Sequence, residues 1–200
     1  MKQLIYMSII TSILSLFGFT GHSKKKAENK SGEKQIDNRL TEEMIDTTTG
    51  SDLLYLIFDD LYRSLPTNYK KEYKTVLSWN KSRQAIYMIW LLEAEVNNGG
   101  FNQFYFNSSG QFYTHLPEAL KLVGATKFAE LTEQANAVFV KEHKTITQHL
   151  DGTIEGFSKS YENNPLNDFD SLFYELNERE DLLQLQVDYI RNHKEAFIEK

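Results

Sequence analysis

Lys81 to Gly110 reads KSRQAIYMIWLLEAEVNNGGFNQFYFNSSG, and the architecture of the chain turns on how this stretch is parsed. Its first half repeats Ala85, Ile86, Ile89, Trp90, Leu92, Glu93 and Val96 at three- and four-residue steps, the period of a helix with one face turned away from water. Asn98-Gly99-Gly100 should stop that helix near Asn97, because glycine enters left-handed backbone without a Cβ clash. FNQFYF, residues 101–106, has the aromatic density of a strand, but Phe101, Phe104 and Tyr105 fall at i, i+3 and i+4, and a helical turn is the reading adopted.

Similar periods flank this stretch. Leu54, Ile57, Phe58, Leu61 and Leu65 predict a helix capped by Ser51 or Asp52 and ended by Pro66. Tyr69 to Leu77 predicts a short helix, and Pro117 opens one that Gly124 ends. Phe128, Leu131, Ala135, Val138 and Phe139 stripe a helix from about Thr126 to His149; residues 169–177 and 181–198 complete the set. The expected fold class is all-α, a single compact domain of six to eight helices over residues 51–200. Three prolines and ten glycines in 200 residues are too few turns for a many-stranded sandwich or barrel, while 13 Phe and 11 Tyr supply the buried area of one core.

Two segments precede that domain. Leu4 to Thr20, LIYMSIITSILSLFGFT, is an uncharged apolar run followed by Gly21-His22-Ser23, a small-x-small pattern. It reads as an export signal over residues 1–23, with a retained membrane anchor or a buried helix as the alternatives. Phe19 stands where a lipoprotein would carry its cysteine, which excludes lipid attachment there. Residues 24–50 are polar and nearly free of aromatics, and are read as a flexible linker. The domain is thus expected outside the cytoplasm after cleavage, or anchored by residues 4–20, the only contact with a membrane.

Charge and side-chain chemistry narrow the function. The chain carries −6, but from Thr41 onward there are 15 basic and 25 acidic residues, a net of −10. Direct nucleic-acid binding needs a basic face, so it is disfavoured, and a basic protein surface becomes the expected partner. No cysteine is present, which removes thiolate chemistry and Cys-ligated metal. The five histidines form no i, i+4 pair and no HExxH, Ser108-Ser109-Gly110 lacks a nucleophile elbow, and Gly99-Gly100 lacks the lysine and hydroxyl of a phosphate loop. No catalytic residue, metal site or cofactor is therefore assigned. Glu95, beside the Gly-Gly turn, is read as tying down loop amides; the alternative is a hydrolytic site around Glu95, His115 and Asn107. Asp59, Asp60, Asp168, Asp170, Glu175, Glu178, Glu180 and Asp181 are the candidates for a partner-binding acidic surface.

LEAEVNNGGFNQFYFNSSG (residues 92–110), followed by LPEALKLVGATKFAEL, resembles the bacterial DNA-mimic protein family, through a domain of unknown function shared with many uncharacterised relatives. The matching positions are Glu95, Asn98, Gly99, Gly100, Phe101, Gln103, Phe104, Asn107, Gly110, Ala119 and Gly124. The likeness extends over roughly residues 51–199, and its specific part is about 35 residues long. It implies an all-α bundle and a non-enzymatic binding protein that intercepts DNA-binding proteins with acidic side chains spaced like phosphates. An acidic domain that engages a basic partner also fits an inhibitor or immunity-type protein. Read as residues, the same positions build structure: a tight turn at Gly99-Gly100, core area from Phe101, Phe104 and Phe106, and amides at Asn98, Gln103 and Asn107 to satisfy backbone groups at the junction. A structural envelope component is the third reading.

Overall fold

The computed structural model describes residues 39–149, 151 and 153–198. The readings of residues 1–23 as signal or anchor and of 24–38 as linker lie outside them. Ten α-helices and no strand occur among the described residues. They are α1 (Glu42–Thr47), α2 (Gly50–Arg63), α3 (Glu72–Ser78), α4 (Lys81–Phe106), α5 (Leu116–Leu122), α6 (Thr126–Lys141), α7 (His143–Thr147), α8 (Ile154–Lys159), α9 (Asn167–Asn177) and α10 (Leu182–Asn192). The all-α expectation holds. Seven helices have seven residues or more, as expected, and α1, α7 and α8 are short additions.

α4 is the axle of the fold. Asn80 caps it, its side chain accepting from the Arg83 N–H, and Ile86, Ile89, Leu92 and Val96 are fully buried along it. α2, α3, α5, α9 and the 3₁₀ turn Ser108–Phe112 all pack on it, and α6 closes over α5 and α9. Its partly buried edge meets α2 in an aromatic layer: Trp90 stacks on Phe58 at 4.4 Å, and Tyr55 meets Trp90 edge-on at 4.9 Å.

Several boundaries differ from the sequence reading. α2 starts at Gly50 behind Thr49, so Ser51 and Asp52 lie inside it and do not cap it, and α10 ends at Asn192, with a separate 3₁₀ turn at Lys194–Ala196 in place of a helix to residue 198. The linker does not reach residue 50: Leu40 and Ile45 are buried, and Thr41 caps α1 by accepting from the Met44 N–H. α1 is ordered from outside, because Arg191 on α10 donates to the Thr48 carbonyl at 3.0 Å and Lys194 pairs with Asp46. The helix predicted to run to His149 breaks at Glu142, where φ and ψ reach −99° and 17°, and α7 follows. The helix predicted to stop before the glycines instead resumes at once beyond them, with Gly99 and Gly100 non-helical inside α4.

Candidate functional site

The glycine kink gathers most of the residues that carry the family resemblance. Gly100 sits at φ 70° and ψ −177°, backbone that is essentially glycine-only. A Cβ on it would fall on the carboxyl group of Asp170. That carboxylate accepts from the Phe101 N–H at 2.7 Å, so α9 supplies the partner that the kink takes away from the helix. Burial pushes the Asp170 carboxyl up, and the Phe101 N–H pulls it back. Two phenols complete the clamp: Tyr161 donates to the Gly99 carbonyl at 2.6 Å and Tyr174 to the Val96 carbonyl at 2.8 Å. Removing the first, as Tyr161→Phe, leaves one carbonyl short of a donor at a half-buried site. Denaturant unfolding should register a loss of about 1 kcal/mol, and no loss would mean that water serves Gly99 equally well.

On the other side of the kink lies Glu95, 5% exposed. One carboxylate oxygen accepts from the side-chain amides of Gln103 at 2.7 Å and Asn107 at 2.8 Å, the other from the Ser109 hydroxyl at 2.7 Å. The amide of Asn98 donates onward to Gln103 Oε1 at 2.9 Å. These amides thus bond side chains, where the sequence reading has them satisfying backbone groups. Burial drives the Glu95 carboxyl up, opposed by Ser109, Gln103 and Asn107 in turn. The cluster staples α4 before the kink to α4 beyond it and to the turn after it. Gly110 belongs to the same construction, since a Cβ there would approach the Phe104 carbonyl oxygen to 2.9 Å.

Below this, Asn102 donates to the Ser160 hydroxyl and accepts from the Asn164 amide, both at 2.7 Å, in a buried chain. Phe101 and Phe104 are fully buried, Phe101 edge-on to Phe169 and Phe173. Ala119 is buried on α5 and Gly124 follows that helix.

The structure unites Glu95 with Asn107 but does not bring His115 to them. His115 Nε2 lies 3.1 Å from the Tyr73 hydroxyl and lines a groove of about 310 Å³ between α4 and α5, with Lys81, Ala85, Met88, Lys121 and Leu122. Among the described residues no cluster of three metal-ligating side chains occurs.

The acidic candidates divide. Asp59 pairs with Arg63 at 2.9 Å and Asp60 with Arg83 at 3.0 Å, both on α2. Asp170 is taken by the kink, Asp181 caps α10 by accepting from the Gln184 N–H at 2.9 Å, and Glu180 lies 3.7 Å from Lys127. Asp168, Glu175, Glu178 and Asp181 remain exposed along α9 and the turn into α10. Sequence reasoning passed over Tyr161, Tyr174, Ser109, Ser160, Asn164 and Gln186. Asn102, a polar residue in an aromatic run, was the one local sign that a buried polar partner had to arrive from elsewhere.

An acidic, all-helical domain built on one long helix with a clamped glycine kink is the class that fold and site together define. A family described as DMP19-like protein matches residues 78–193, more than half of the chain, and the chain belongs to that family. The match runs from the end of α3 through α10 and includes every residue of the Glu95 cluster and the kink clamp. No curated protein and no solved structure matches the chain.

Proposed function

We propose that this domain is a non-enzymatic binding module that offers carboxylates to a basic protein surface, in the manner of a DNA mimic and with an inhibitory or immunity-type role. The observation that carries the reading is the exposed acidic row on α9 and its exit, Asp168, Glu175, Glu178 and Asp181. Asp168 and Glu175 are seven residues apart, which sets them on one helix face about 10 Å apart along the axis. The Arg179 guanidinium lies 3.8 Å from Glu175 with both side chains well exposed, a pair too solvated to cancel the field. The net of −10 from Thr41 onward and membership of a DNA-mimic-like family support the same reading.

Where the partner is met depends on residues 4–20. An exported domain would engage an envelope protein, and an anchored one facing the cytoplasm would engage a nucleic-acid-binding protein.

The test is a calorimetric titration against purified nucleoid-type proteins with lysine-rich DNA-contacting faces, at low and high salt and with duplex DNA as competitor. Binding should weaken with salt and be displaced by DNA. The triple variant Asp168→Asn, Glu175→Gln, Glu178→Gln should lose about tenfold in affinity, since each exposed ionic contact is worth about 0.5 kcal/mol. Unchanged affinity in the triple variant would remove this surface from the reading.

A further inference from the structure

Gln186 on α10 is fully buried, and half of its amide is unsatisfied. Its Nε2 donates to Glu93 Oε2 on α4 at 2.8 Å and more weakly to the Leu182 carbonyl at 3.3 Å, while its Oε1 has no hydrogen-bond partner. Exchanging the amide's oxygen and nitrogen does not help, because the oxygen would then face the Leu182 carbonyl and the Glu93 carboxyl. A buried orphan acceptor is costly, and an ionised carboxylate beside it brings only further acceptors. A neutral carboxyl does the opposite, since an acid and a primary amide are complementary: N–H to one carbonyl oxygen, O–H to the other.

We propose that Glu93 and Gln186 form a neutral acid–amide pair that latches α10 onto α4, and that loss of the Glu93 proton to solvent opens the latch. The surroundings favour the neutral form. Glu93 is half-buried as a residue, but its carboxyl is desolvated against Gln186; burial is the largest cause pushing it up to about 7, opposed by the Gln186 bond and reinforced by Asp181 at the start of α10. From α2, Tyr55 faces it and is itself held up by burial, by Asp52 and by Glu93. The ionisable groups acting on Glu93 from α10 and α2 are thus acids.

The sign follows from linkage. A carboxyl raised in the fold holds its proton where the unfolded chain has lost it. Its stabilising contribution is complete below the ordinary carboxylate range and is lost as pH rises to about 7. What loosens is specific: α10 buries Leu182, Val187 and Ile190, packs on α2 and α1, and holds α1 through Arg191. The Ser82 and Tyr189 hydroxyls, 2.8 Å apart, also join α4 to α10, so opening the latch loosens this apolar helix face without freeing it.

The experiment follows two readouts on the full chain between pH 5 and pH 8. Carbon-detected NMR of the Glu93 carboxyl should titrate with a midpoint near 7, and amide hydrogen exchange in α10, corrected for its intrinsic pH dependence, should accelerate more than tenfold between pH 5 and pH 7 and level off above that. Glu93→Gln reproduces the neutral partner, so its α10 protection should be flat over the same range and equal to the wild type at pH 5. A Glu93 carbon that titrates in the ordinary carboxylate range overturns the proposal. So does α10 protection that is independent of pH in the wild type, or that retains its step in the variant.

Discussion

Gly100→Ala should cost about 3–5 kcal/mol of folding stability, from backbone strain of about 1–3 kcal/mol in a region closed to side chains and from displacing Asp170, which strands the Phe101 N–H. Both parts trace to one place. Gly100 has φ 70°, and its Cβ would occupy the position of the Asp170 carboxyl that accepts from Phe101. The two causes separate by combination: Asp170→Ala alone strands the amide, and adding Gly100→Ala to it contributes only the backbone strain. The double variant should therefore be less destabilised than the sum of the singles. Urea unfolding with unchanged m-value reads all three. A loss below about 1 kcal/mol for Gly100→Ala would show that the kink relaxes and that α9 does not fix it.

The second large effect belongs to Glu95, and its two variants should differ sharply. Glu95→Leu fills the space but leaves the donors of Gln103, Asn107 and Ser109 facing a hydrocarbon, which should cost about 3 kcal/mol or more at about 1 kcal/mol or more for each stranded group. Glu95→Gln keeps an oxygen for the two amides and turns its own NH₂ toward Ser109, whose hydroxyl can rotate from donor to acceptor. That variant should lose only about 1 kcal/mol. Comparable losses in the two would mean that negative charge at this position, and not acceptor geometry, holds the kink together.

Much of the fold was legible because it is written in local periods. The repeat from Ala85 to Val96, Pro117 at the start of α5 and the stripe on α6 each state a helix within one stretch of chain. What escaped the sequence reading is what distant chain supplies. α1 has a single deeply buried residue, Ile45, and its order depends on Lys194 and Arg191 more than 140 positions away. α8 holds one buried residue, Gly156, too few to announce a face.

The site divides along the same line. Glu95, Gln103, Asn107 and Ser109 lie within fifteen positions, and the resemblance singled out three of them. The clamp on the kink comes from Tyr161, Asp170 and Tyr174, some sixty to eighty positions on, where no spacing rule points back to Gly99 or Val96. The acidic residues were legible as charges but not as free ones: folding employs Asp170 and Asp181 in its own hydrogen bonds.

The contact of Asp46 with Lys194 and of Thr48 with Arg191 places the first and last helical segments among the described residues side by side. Topologically residues 39–198 come close to a ring that is open there. A version joined across that opening and reopened in the exposed turn after α2, around Thr67, would keep the kink, its clamp and the Glu95 cluster on uninterrupted chain. It would place two new ends on another face, from which the domain can be tethered without loading α10.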